Sequence, residues 1–152
     1  MITSPNRVRA VVVVAATAAA LVAAVPFASA APYTDFRDNA CGAKLRDGRC
    51  RLGTVVEYWH AGGARGIGWV YSSKKAVAKA STHHARWTYK TPGKAWKTGA
   101  GWTKARVTKG SNGYFAEAWW GRGGHTGPKA PKGTIVCTQY KGEKTNTCLT
   151  LK

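Results

Sequence analysis

The chain has 152 residues, 24 of them Lys or Arg against six Asp or Glu, for a formal net charge of +18. A chain this short can bury enough apolar surface for one core and not for two, so one domain is expected. So large a positive excess favours anionic partners, because summed positive potential concentrates negative ones.

Residues 1–30 carry the three parts of a secretory signal peptide: Arg7 and Arg9, an apolar stretch from Ala10 to Phe27 relieved only by Thr17 and Pro26, and the triplet Ala28-Ser29-Ala30. A membrane anchor is the competing reading. A spanning helix needs roughly 20 apolar residues, whereas this stretch is Ala-rich, broken by Pro26 and followed by an Ala-x-Ala site. Cleavage after Ala30 is therefore expected, leaving residues 31–152 as a single secreted, extracellular domain that is not transmembrane. Cleavage removes two arginines and no acid, so the net charge falls from +18 to +16.

Segment 31–53 holds Cys41 and Cys50, and segment 134–152 holds Cys137 and Cys148. An even cysteine count in an exported chain argues for disulfides. Each pair encloses a turn signal, Arg46-Asp47-Gly48 in one and Lys141-Gly142-Glu143 in the other, so of the three possible connectivities the two local closures are expected. Neither pair has the close spacing of a structural zinc site.

Between these segments, aromatic and β-branched residues alternate with polar ones and are punctuated by Gly and Pro, the pattern of half-buried antiparallel strands. The expectation is an all-β domain, a small antiparallel β-sandwich stapled by two disulfides. Strands are expected over 54–60, 67–72, 84–90, 102–107, 114–120 and 133–140, with 147–151 returning against the last. In 84–90, Ala85, Trp87 and Tyr89 would face one side and Arg86, Thr88 and Lys90 the other. In 102–107, Thr103, Ala105 and Val107 would point inward, leaving Trp102, Lys104 and Arg106 outside. The stretch 74–80, KKAVAKA, alone has some helical character, Gly110-Ser111-Asn112-Gly113 is a turn, and 121–133 reads as a long Gly/Pro linker or surface loop.

The basic aromatic core, 54–120, has no acid between Glu57 and Glu117 but eleven positive charges, interleaved with Trp69, Trp87, Trp96 and Trp102. The seven tryptophans of the chain are expected mostly in the core, since each buries a large area. Trp87 is expected inside, and Trp102 with one of Trp119 or Trp120 outside. Arg86, Lys90, Trp102, Lys104, Arg106 and Trp119 are thus the candidate binding residues.

Residues 66–120 resemble the lactococcin 972-like bacteriocin family. The likeness rests on Val70-Tyr71-Ser72-Ser73, Ser81-Thr82-His83-His84-Ala85, the run from Gly99 to Val107 with its Trp102-Thr103-Lys104-Ala105, and Tyr114-Phe115-Ala116-Glu117-Ala118-Trp119-Trp120. The cysteine segments flank this core as additions to the family pattern, and KKAVAKA stands where the family has a tyrosine-histidine run. The resemblance implies a small secreted β-sandwich that acts without catalysis on the cell envelope of competing bacteria.

Two other functions compete with that expectation. One is a disulfide-stapled adaptor docking onto other secreted proteins within a toxin complex. The other is a ribonuclease toxin, for which His60, His83, His84 and His125 with Glu57 or Glu117 are the available proton-transfer groups. None of these sits in a recognisable catalytic motif, and His83 and His84 would point to opposite faces of a strand, a poor arrangement for a shared metal. No catalytic residue and no cofactor is expected. The expected partner is an anionic bacterial envelope component or another secreted protein, with nucleic acid bound only non-specifically.

Overall fold

The computed structural model describes residues 32–121 and 124–152; the segment expected to be a signal peptide, 1–30, lies outside the described residues. Nine strands follow in order: β1 (Thr34–Lys44), β2 (Cys50–Ala61), β3 (Ala64–Ala76), β4 (His84–Lys90), β5 (Lys97–Lys104), β6 (Arg106–Gly110), β7 (Gly113–Gly121), β8 (Ile135–Tyr140) and β9 (Thr147–Thr150). They form two antiparallel sheets, one of five strands in the order β1-β2-β3-β7-β6 and one of four in the order β5-β4-β8-β9. Among the described residues there is no helix, and none long and apolar enough to cross a membrane.

Apolar residues at alternate positions of β2, β3, β4 and β8 point between the sheets, as a half-buried strand requires. Val56, Tyr58, Ile67 and Val70 of the larger sheet meet Trp87, Val136 and Leu149 of the smaller one, joined by Ala130 and Leu151. Towards the other end the core is built from small residues, Ala76, Ala85, Ala105, Ala116 and Ala118, around Leu52 and Tyr140. There the sheets are stitched by polar groups. Thr54 and Thr138 share a hydroxyl hydrogen bond, Ser72 donates to Thr138 at 2.9 Å, and the Tyr140 hydroxyl reaches the Ala116 carbonyl at 2.7 Å. Each of these buried hydroxyls has a partner, which removes the cost of leaving it unpaired.

Both disulfides are the local ones expected, Cys41–Cys50 closing the β1–β2 hairpin and Cys137–Cys148 closing β8–β9. Glu143, in the β8–β9 turn, ties that hairpin to the larger sheet by accepting from Arg51 and Lys74, each at 2.7 Å.

Several strands differ from the sequence-based expectation. The expected single strand 102–107 is two strands in different sheets. The chain leaves the smaller sheet after Lys104, turns at buried Ala105, whose N–H donates to the His83 carbonyl at 2.9 Å, and enters the larger sheet at Arg106. Ala105 is inward as expected, but Thr103 is exposed, because β5 is an edge strand with little of the facing sheet over it. Segment 31–53 contributes a long edge strand, β1, whose charged and polar residues hide it from a hydrophobicity pattern; edge strands are commonly charged in this way.

In KKAVAKA, Lys74, Lys75 and Ala76 end β3 opposite β7, and the remainder is turn, with Val77 almost fully exposed. Pairing to a neighbouring strand overrides the weak helical preference there. The 121–133 loop is also more than a surface linker. Ile67 donates to the Pro128 carbonyl and Ala130 to that of Arg65, so part of the loop lies along β3. Gly127 permits this, since a Cβ there would collide with the Ile67 carbonyl. Of the seven tryptophans only Trp59 and Trp87 are buried, because alanines rather than indoles fill half the core.

Candidate binding surface

The outer face of the five-stranded sheet is set by one irregularity. Along β3, Ile67 and Val70 both point inward although they are three residues apart, because the register against β2 shifts at Gly68, where Glu57 pairs with Trp69 and Tyr58 with Ile67. A bulge of this kind inserts one residue and reverses the facing of everything beyond it. Trp69 and Tyr71 are thereby turned outward. Their rings stack with centroids 5.7 Å apart and 16° between planes.

Cross-strand pairing extends this pair into a row. Asn39 of β1 lies opposite Val55, Val55 opposite Tyr71, and Tyr71 opposite Trp119 of β7. The resulting shelf, a hollow of about 500 Å³, is lined by Arg37, Asn39, Val55, Trp69, Tyr71 and Trp119. The Arg37 guanidinium lies 5.5 Å from the centre of the Trp69 ring and 3.3 Å from Glu57. Tyr71 donates its hydroxyl to Glu117, which also accepts from Thr108. Burial, with the Glu117 carboxylate adding to it, holds the Tyr71 phenol above its ordinary range, so it stays a neutral donor.

Trp119 is 48% exposed and belongs to a second hollow as well, of about 260 Å³, lined by Thr103, Lys104, Arg106, Glu117, Ala118 and Trp119. The turn at Ala105 makes this hollow, since it carries Lys104 and Arg106 around from one sheet to the other. Three of the six residues singled out from sequence, Lys104, Arg106 and Trp119, are thus brought together.

Arg86 and Trp102 form a separate pair on the smaller sheet. The guanidinium sits 4.6 Å from the ring centre and its Nε donates to Gln139 at 2.8 Å. Lys90, four residues further along β4, lines neither hollow. Trp69, Tyr71, Arg37 and Asn39 were not among the candidates from sequence. Gly68 within an alternating strand was the available sign, since an isolated glycine there commonly marks a bulge.

The histidines lie elsewhere. His60 packs on Phe36 and Tyr58, His83 meets Ser81 at 3.0 Å, and His125 pairs with Asp35 at 3.0 Å while stacking on Tyr33. Burial, with the nearby charge of Arg65, lowers the His60 pKa from its ordinary 6.5, and burial, with Lys74, does the same for His83. Among the described residues, no three His, Cys, Asp or Glu side chains cluster closely enough to hold a metal ion.

Fold and surface together define a disulfide-stapled β-sandwich with an aromatic shelf continued into a basic corner. No family model, no curated protein and no solved structure matches the chain.

Proposed function

We propose that this is an exported, non-catalytic antibacterial protein that binds an anionic component of the cell envelope of other bacteria, as the resemblance to lactococcin 972-like bacteriocins implies. The observation that carries this reading is the sharing of Trp119 by two hollows: one ring joins an open aromatic shelf to the Lys104–Arg106 corner. Cations concentrate an anionic surface nearby, and exposed aromatics give the encounter a contact area that charge alone lacks. Two disulfides suit a protein that works in an oxidising exterior.

The test is growth inhibition of a panel of Gram-positive bacteria by the oxidised protein, with sedimentation on their isolated cell walls at low and high salt. Inhibition and salt-sensitive wall binding are expected, both lost in the double variant Lys104→Glu, Arg106→Glu. A folded protein that neither inhibits nor sediments rejects the proposal.

The adaptor reading has one observation in its favour, the exposed Phe36 on the disulfide-closed edge strand β1. It predicts no inhibition by the protein alone and recovery of activity when other secreted proteins of the producing cell are added.

A further inference from the structure

Resting on that reading, we propose that the outer face of the five-stranded sheet is a binding site for a sparsely charged acidic polysaccharide. Its sugar rings would lie against Tyr71 and Trp119, and its anionic groups would reach the cations at either end of the row.

Three features select this ligand. The first is shape. From Asn39 on β1 to Trp119 on β7 the row crosses four strands, a span of about 14 Å at the usual inter-strand spacing. It is open and unwalled, so it suits a length of extended polymer better than a single sugar. The second is surface chemistry. Aromatic faces accept the C–H faces of sugar rings, while the Asn39 amide and the carboxylates of Glu57 and Glu117 sit within or beside the row to receive hydroxyl hydrogen bonds.

The third is the placement of charge. Arg37 stands over Trp69 at one end, and Lys104 and Arg106 flank Trp119 at the other. Between them the fixed charges are the two carboxylates: Glu57, paired with Arg37, and Glu117, held by Tyr71 and Thr108. A polymer with a phosphate at every repeat, such as a nucleic acid, would be repelled along the middle of this row. A glycan with intermittent anionic groups meets cations at the ends and acceptors in between.

Calorimetric titration of the oxidised protein at about 0.15 M salt with hyaluronan, dextran and linear polyphosphate separates the possibilities. Hyaluronan carries one carboxylate per disaccharide, dextran none, and polyphosphate has charge without sugar. The expected result is that hyaluronan binds more tightly than either of the others. Trp119→Ala should weaken hyaluronan by about tenfold, as loss of an exposed aromatic anchor does, and leave polyphosphate within about twofold. Tyr71→Phe, which keeps the ring and frees the Glu117 carboxylate, should weaken hyaluronan less than Trp119→Ala.

Dextran binding equal to hyaluronan, polyphosphate binding tighter than hyaluronan, or hyaluronan binding indifferent to Trp119→Ala each overturns the inference. If it is overturned while salt-sensitive wall binding persists, the envelope reading stands without this site. If hyaluronan binds as described and bacterial walls do not, the glycan site stands and the envelope reading falls.

Discussion

The two outer faces of the sandwich both present an exposed tryptophan, yet they offer it in different states. On the four-stranded sheet Trp102, 43% exposed, is already covered on one side by the Arg86 guanidinium, and Gln139 holds that guanidinium in place. On the five-stranded sheet Trp119 has no cation seated over its ring among the described residues, and it opens onto two hollows. Accessible area alone ranks the two rings almost equally. What separates them is whether a neighbour has taken the face a ligand would need.

The two sheets should differ in how much they lose when one tryptophan is removed. Trp87 lies under the smaller sheet, packed so closely against β5 that a Cβ at Gly99 would overlap its indole. Trp87→Ala should therefore cost about 3–5 kcal/mol in urea unfolding. Trp119→Ala, at the surface, should change stability by less than about 0.5 kcal/mol. Equal costs for the two would mean that the shelf is part of the core.

Acid acts on the link between the sheets. Arg51, then Lys74, hold the Glu143 carboxyl below its ordinary 4.5. Its contribution is then fully present above pH 4.5 and is lost as pH falls through the lower folded value. His60 and His83, also lowered in the fold, add stability that is complete above 6.5 and declines as pH falls below it. Unfolding midpoints measured from pH 8 to pH 3 should show both declines. Glu143→Gln should shrink the lower one, deepen the upper one because the Glu143 charge holds the His83 pKa up, and cost about 2 kcal/mol at neutral pH.

The smallest effect is expected at the covered ring. Arg86→Ala should lower stability by only about 0.5–1 kcal/mol while uncovering Trp102. Acrylamide should then quench more of the tryptophan fluorescence than in the parent protein. No increase would mean that the guanidinium does not shield the ring.

Much of the fold is legible in the residues, and what is not has local physical causes. Strands over 84–90 and 114–120 stand out because their inward and outward residues differ in kind, and the cysteine pairs because each brackets a turn. β1 escapes notice because Asp35, Arg37, Asp38 and Asn39 are what an edge strand carries and what a loop carries too. The break at Ala105 is invisible because nothing in WTKARV marks a change of sheet; the His83 carbonyl and the facing core impose it. Uninterrupted alternation through 67–71 would put Ile67, Trp69 and Tyr71 on one side, and only the bulge at Gly68 turns the last two outward. Half of the candidate surface therefore depends on one glycine whose effect emerges only when β3 pairs with its neighbour.

Each disulfide closes a single hairpin near one end of the described chain, and no covalent cross-link spans the interval between residues 50 and 137. A protease that cuts the backbone once within that interval leaves two fragments held together by non-covalent contacts alone. The exposed run around Lys94, between β4 and β5, invites such a cut. Against such a cut the two cross-links give no second line of defence.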